Sequence, residues 1–502
     1  MTQAWRPPAT QRAYDACVVG SQVGGAIAAA LLTRRGFRVL EVDHDGRGAG
    51  YADGGWILPW RPALFPSPRL MPAGESALAE LSAAGLLQKA LRPLSPGLQL
   101  LLARHRLELP AAPAPLAAEL HREWPGEDSA LLAMVQALDA LFEDGGRLLT
   151  AAPQLPPRGL LARLALRRAV SRAAGPGRPP LAEARPFESL GGHPLPAALQ
   201  ALLPFLSHLD GPPAPLALAR VLGGALRGLH VADGGEQALR DVFRRHAAAK
   251  VANHDETAAL QGVVASVDLG GGRIRGLRLA GSPDVHAARV VILATGAEGF
   301  ARLLPGDAPA RAVAALTRLR PARRILTVNF VVHAAALPPP LGAAALALGG
   351  GEPLLVQVEP ARRRDATEGA AHAGDRILCA AAAVPAEPWT RESVKTWTDR
   401  IRTSLGEAIP FFDRHVVFES IPALAGIGDG EPFPDAADPL YTPLEGAALG
   451  VAGLPVQGPI KNLFLASRDV LPGLGLEGEI YAGIEAAAHA ATALGHKERP
   501  GR

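Results

Sequence analysis

The stretch Asp15-Ala-Cys-Val-Val-Gly-Ser-Gln-Val-Gly-Gly25, followed by a small-residue run to Arg35 and by Gly36-Phe-Arg-Val-Leu-Glu-Val-Asp43, constrains the fold more than any other part of the chain. An apolar run, a glycine turn, an alanine-rich segment and a second apolar run read as strand, turn, helix and strand, the opening unit of a dinucleotide-binding α/β fold. Gly20 permits the tight turn, Gly25 lets helix and strand pack closely, and the helix N-terminus offers free amides to a diphosphate. Asp43, 18 residues beyond Gly25, ends the second strand, where a carboxylate accepts bonds from a ribose. The middle position of the G-x-G-x-x-G spacing holds Gln22. Either Gly24 takes over the close approach or the phosphate sits differently, and a purely structural glycine turn is the competing reading.

Downstream, Asp43 to Gly55 carries glycine at 46, 48, 50, 54 and 55, a density that suits loops threading close to a ligand. Ser76 to about Arg172 is rich in Leu and Ala and is expected to be helical with proline breaks, and a second helical stretch runs from Pro196 to His230. Val263 to Asp268, the turn at Gly270-Gly-Gly272 and Arg273 to Leu279 predict a hairpin, and Arg289 to Gly296 a strand entering a glycine turn. Strands are predicted at Ile325 to Val332, Leu354 to Val358, Ile377 to Ala383 and His415 to Ser420, with a helix over Ser393 to Ala408. The chain ends on a strand at Asn462 to Ala466 and a helix over Gly478 to Leu494.

Composition narrows the function. Lys+Arg 51 against Asp+Glu 48, with no long basic run, gives nothing that would track a nucleic-acid backbone. The longest apolar candidate, Val328 to Leu348, is cut by His333 and Pro338 to Pro340, so no spanning helix is expected. Met1 to Tyr14 lacks the apolar core of a secretory signal, and the two cysteines, Cys17 and Cys379, sit in apolar runs as buried thiols, which together predict a cytoplasmic protein. Motifs for phosphoryl transfer, zinc hydrolysis and serine hydrolysis are missing.

At the far end, Lys461-Asn-Leu-Phe-Leu-Ala-Ser-Arg-Asp-Val-Leu-Pro-Gly-Leu-Gly-Leu-Glu-Gly478 resembles the closing FAD motif of the phytoene desaturase and carotenoid isomerase family, within the amine oxidase superfamily. Asp53-Gly-Gly-Trp56, Asp233-Gly-Gly235, the hairpin at Gly272 and Ala294-Thr-Gly296 fall in that family's order, so the resemblance covers both ends and the middle. It implies an α/β architecture: a discontinuous Rossmann-like FAD domain from about 12 to 60, 226 to 300 and 452 to 495, a mixed-sheet substrate domain over 301 to 451, and a helical insertion over 61 to 225. It also implies FAD contacts at Gly20, Ser21, Gln22, Gly24, Gly25, Asp43, His44, Arg47, Gly54, Gly55, Val264, Ala294, Thr295, Gly296, Ser467, Arg468, Asp469, Gly475, Leu476 and Glu477. In the family, amides at the last helix's N-terminus stabilise charge on the reduced flavin ring. The sequence departs from the pattern where Ser467 and Arg468 replace a Gly-Asp pair and where Gly48-Ala-Gly50 replaces adjacent glycines.

The implied reaction is hydride transfer between flavin N5 and an apolar, isoprenoid-like substrate. An amine oxidase-like activity and a non-catalytic FAD-fold protein are the alternatives, the latter favoured by Gln22 and Arg468. No metal, nucleic-acid partner or oligomeric state is indicated, and catalytic residues stay unassigned. His230 reads as a flavin neighbour or a surface-loop histidine, Glu477 and Glu479 as acid-base groups or helix caps, and Trp56, Trp60 and Phe65 as tunnel lining or core. Arg163, Arg167, Arg168 and Arg172 form a stripe that suits either an anionic membrane surface or a solvated helix face.

Overall fold

A computed structural model describes residues 13–495 apart from 45–47, 152–153, 212–213, 252–257, 365–370, 426–436, 445–447 and the single positions 283, 340 and 350. The opening unit forms as strand β1 (Ala13–Val19), helix α1 (Val23–Arg34) and strand β2 (Val39–Asp43). β1 lies at the centre of a seven-stranded sheet, parallel to β2 on one side and to Val285–Leu293 on the other. The hairpin of Val264–Gly270 and Arg273–Leu279 extends one edge, Ala258–Gln261 pairs outside β2, and Leu463–Leu465 runs parallel to Val285–Leu293. Parallel strands covered on their faces need apolar residues throughout, and β1 shows this: Ala16 to Val19 are all buried.

α1 packs against the Gly235–Val251 helix and against the C-terminal helix Leu476–Ala493. Every α1 residue from Val23 to Leu32 is buried. A buried leucine or isoleucine such as Leu31 or Ile27 contributes about 1.5–3 kcal/mol.

The second sheet has ten strands. Pro321–His333 lies antiparallel to Ala371–Pro385, which continues through Leu354–Arg363 and Ala344–Leu348. Alternation along Pro321–His333 sends Leu326, Val328, Phe330 and Val332 into the core under the helix Arg391–Ala408, while Asn329 faces the other side.

Two expectations need correction. The span 61 to 225 is not wholly helical: Leu98–Leu102 pairs parallel with Ala344–Leu348 and turns into Arg106–Leu109, so it lends two strands to the second sheet. Leucine and glutamine in 98–102 alternate poorly, and the pairing partner lies more than two hundred residues away, out of reach of local pattern. The glycine-rich segment after Asp43 also forms a hairpin, Tyr51–Asp53 with Trp56–Leu58, docked on Arg362–Arg363. Gly54 and Gly55 take its two positive-φ turn positions, as two-residue hairpins require.

On the helix Gly159–Ala173, Leu166, Ala169 and Ala173 are buried, whereas Leu160, Leu161 and Leu164 are exposed beside the arginines. Among the described residues no helix is long and apolar enough to cross a membrane, and no His, Cys, Asp and Glu group could hold a metal. Cys17 and Cys379 are free, buried thiols whose ionisation burial pushes upward.

A Cβ at Gly25 would stand 2.2 Å from Ala294 Cβ and 3.1 Å from Val18 Cγ1. Gly25→Val is therefore expected to lever α1 off β1 and cost about 1–3 kcal/mol, read as a lowered thermal midpoint. A wild-type midpoint would contradict this packing.

Candidate functional site

The two ends of the chain meet at the tip of β1. Gly20 turns the chain at φ +113, and a Cβ there would lie 2.3 Å from the Ala294 carbonyl oxygen. A Cβ at Gly24 would stand 2.4 Å from Ala466 O and 2.6 Å from Glu479 O, and one at Gly483 only 2.3 Å from Gly24 O. α1 and the C-terminal helix thus cross backbone to backbone, a contact only glycine permits. Gly20, Gly24 and Gly25 accordingly seat structural elements on each other and do not border the open space beside the turn.

That space is a cavity of about 760 Å³ between the two sheets, within the range of small-molecule sites. Ser21, Gln22, His44, Thr295, Gly296, Arg468 and Asp469 border it from the first sheet. Leu58, Trp60, Arg61, Arg324, Glu359, Ile377 and Tyr441 border it from the second.

An ion cluster crosses this seam. Arg468 pairs with Asp438 at 2.8 Å, with Glu236 at 3.4 Å and with Glu479 at 3.4 Å, and Arg61 bonds both Glu236 and Asp438. Burial works against the charge on Arg468, but Asp438, Glu479 and Glu236 outweigh it and hold its pKa well above the usual value. Burial likewise opposes ionisation of Glu236, and Arg61 and Arg468 overcome it, leaving that carboxyl below its usual range. His208 Nε2 lies 3.5 Å from Glu479 Oε1, and burial, with Arg468 nearby, lowers its pKa.

Glu479 Oε2 accepts the bond from the Val23 amide at 3.2 Å, at the N-terminus of α1. Gln22 Oε1 accepts from the Arg468 amide at 2.8 Å, joining the first turn to the last strand's loop. Asp469 caps the short helix at Ala297, accepting from that amide at 2.7 Å and from Tyr441 Oη at 2.8 Å, and burial raises its pKa. Arg240 donates to the Ser21 carbonyl at 2.7 Å and lies 3.6 Å from Asp43 Oδ1, an oxygen that makes no hydrogen bond. His44 Nδ1 accepts from the Val264 amide at 2.9 Å, so ring and strand are joined at that end. Ser467 Oγ is buried without a hydrogen-bond partner.

Several residues implied by resemblance stand elsewhere. Gly54 and Gly55 turn a hairpin beside Phe418 and Arg363, where the second sheet claims the backbone, and do not border the cavity. Ala294 is buried behind the Gly20 turn. Gly475 packs on Leu206 and Ser207, and Leu476 and Glu477 follow it away from the cavity, because Glu477 is drawn into a bidentate pair with buried Arg220 at 2.9 and 2.8 Å. That pair takes Glu477 out of acid-base contention, and burial raises its pKa against the pull of Arg220. Arg47 lies outside the described residues. Trp56 is buried beneath Arg363, Phe65 is core, and His230 sits in the strand Leu229–Ala232, paired across to Phe65 and Pro93, and is neither on a surface loop nor on the cavity.

Arg61, Asp438 and Tyr441 carried no signal in the sequence. Glu236 did, since it follows the Asp233-Gly-Gly235 turn that opens its helix.

No family model and no curated protein matches the chain. Solved structures do. An oxidoreductase from Methanosarcina mazei is 12% identical with a TM-score of 0.57, over 94% of this chain and 100% of that one. Putrescine oxidase bound to putrescine is 15% identical at 0.55, covering 96% and 100%, and the PF1083 protein from Pyrococcus furiosus is 13% identical at 0.53, covering 97% and 98%. The chain therefore shares the fold of these proteins.

Arg220→Met would leave the Glu477 carboxylate buried without its cation. The expected loss is about 3–5 kcal/mol of unfolding free energy in a urea titration, and an unchanged midpoint would show that the pair is not the anchor described.

Proposed function

We propose that the chain is an FAD-dependent oxidoreductase. The observation that carries this reading is the convergence of Ser21 and Gln22 after the Gly20 turn, of His44 just past the end of β2, and of Arg468 and Asp469 on one cavity that also reaches the second sheet. The donor set suits the two ends of the cofactor. The Asp43 oxygen without a hydrogen bond, beside Arg240, would take a ribose hydroxyl, His44 would flank the base, and Arg240 and Arg468 would meet the phosphates, whereas Ser467 and Val264 are buried off the cavity. In the middle, the fit requires Glu479 and Gln22 to turn aside from the Val23 and Arg468 amides. Bound FAD supplies a two-electron hydride acceptor.

The remainder falls to the protein's own side chains. Leu58, Trp60 and Ile377 give the substrate side an apolar wall, which supports the apolar part of the substrate that the family resemblance implies. Arg324, Glu359, Arg362 and Glu387 border the same space, so an amphipathic molecule fits it better than a wholly apolar isoprenoid. A second reading, oxidation of an amine, is favoured by Glu359. Its carboxyl accepts from Gln357 Nε2 at 2.8 Å, and burial lifts its pKa against the opposing charge of Arg362. Such a group can take a proton from a substrate ammonium before the C–H bond is broken.

Titrating the purified protein with FAD is expected to give a protein-bound flavin spectrum at micromolar cofactor. The absence of bound flavin at millimolar FAD would refute the assignment. Anaerobic addition of amines and of isoprenoids to the loaded protein then separates the substrate classes by which of them bleaches the flavin. If the amine reading holds, turnover rises with pH through a pKa above the usual carboxylate range, because only the ionised Glu359 accepts a proton. Glu359→Gln should lose that limb and about 10²-fold or more in rate, and a variant that keeps both would remove Glu359 from the mechanism.

A further inference from the structure

We infer that Glu479 is a built-in stand-in for the cofactor's diphosphate: its carboxylate holds the anion position at the N-terminus of α1, and a dinucleotide must displace it to bind. The inference rests on the FAD reading above and specifies how that site is controlled.

The N-terminus of a helix collects partial positive charge and unpaired amides, and in a dinucleotide fold the diphosphate occupies it. Here Val23 gives its amide to Glu479 Oε2 at 3.2 Å, across 456 residues of sequence. A second amide, that of Arg468, goes to Gln22 Oε1 at 2.8 Å. Gln22 stands in the middle position of the glycine spacing, where a side chain takes up room that glycine would leave open to the phosphates. Both Gln22 and Glu479 are buried, as are Arg468 and Asp438.

Charge points the same way. Two guanidiniums, Arg61 and Arg468, face three carboxylates, Glu236, Asp438 and Glu479. The cluster already carries its full complement of anions, so an incoming diphosphate meets carboxylates where a dinucleotide site ordinarily offers unpaired donors. Withdrawal of Glu479 frees the Val23 amide and one side of Arg468 together. The chain is thereby stable without cofactor and takes FAD weakly and reversibly.

The test compares FAD with riboflavin, which shares the flavin ring and has no phosphate. Dissociation constants are measured by quenching of flavin fluorescence for wild type, Glu479→Gln, Glu479→Ala and Gln22→Gly, with thermal melting as the control for folding. FAD binding at least tenfold tighter in the Glu479 variants, with riboflavin changed less than twofold, is the expected result. Gln22→Gly is expected to tighten FAD in the same direction and serves if the Glu479 variants do not fold. Equal or weaker FAD binding in the folded variants overturns the inference and leaves the cofactor assignment standing if wild type binds FAD. A wild type purified with a full complement of FAD that survives dialysis also overturns the inference while supporting the assignment. Failure of every form to bind FAD removes both.

Discussion

The contact between Gly24 and Gly483 governs the rest of the structure. A side chain at either position would strike the backbone of the other helix, so the two glycines let α1 and the C-terminal helix touch directly. That contact brings Ala466 to Arg468 beside Gln22 and Gly24. Dense packing leaves no room to relax a mismatch at such a crossing.

An ion network joins the two sheets beside the cavity. Arg61 comes from the segment following the Tyr51 to Leu58 hairpin, Asp438 from a strand paired with Pro321–His333, Glu236 from the helix beside α1, and Arg468 from the last strand's loop. Four separated parts of the chain thus meet in one buried network. Such a network is costly to desolvate. It also sets what the cavity receives: a ligand with its own anions competes with carboxylates already seated, whereas the wall formed by Leu58, Trp60 and Ile377 accepts apolar surface without competition.

The sequence made much of the first sheet legible. β1, α1, β2, the hairpin around Gly272, the strand before Gly296 and the terminal helix all follow from local periodicity and glycine placement, signals carried within a few residues. The strands Leu98–Leu102 and Arg106–Leu109 did not follow, because their pairing with Ala344–Leu348 is a long-range event that Leu-rich composition disguises as helix. At the site, Ser21, Gln22, His44, Arg468 and Asp469 were found by motif and do border the cavity. Glu477 was flagged by motif too, yet Arg220, a residue with no motif of its own, turns it into a structural anchor. Arg61 and Asp438 were invisible for the same reason: an ion pair between distant segments leaves no trace in the spacing of either.

In the proposed function, Ser21 and Gln22 on one side and Arg468 and Asp469 on the other grip one dinucleotide between them. A crystal structure of the protein saturated with FAD tests this most directly. The predicted result is a diphosphate between the α1 N-terminus and Arg468, with the Glu479 carboxylate withdrawn from the Val23 amide. Flavin density anywhere else, or an unmoved Glu479 with no phosphate at α1, would contradict it.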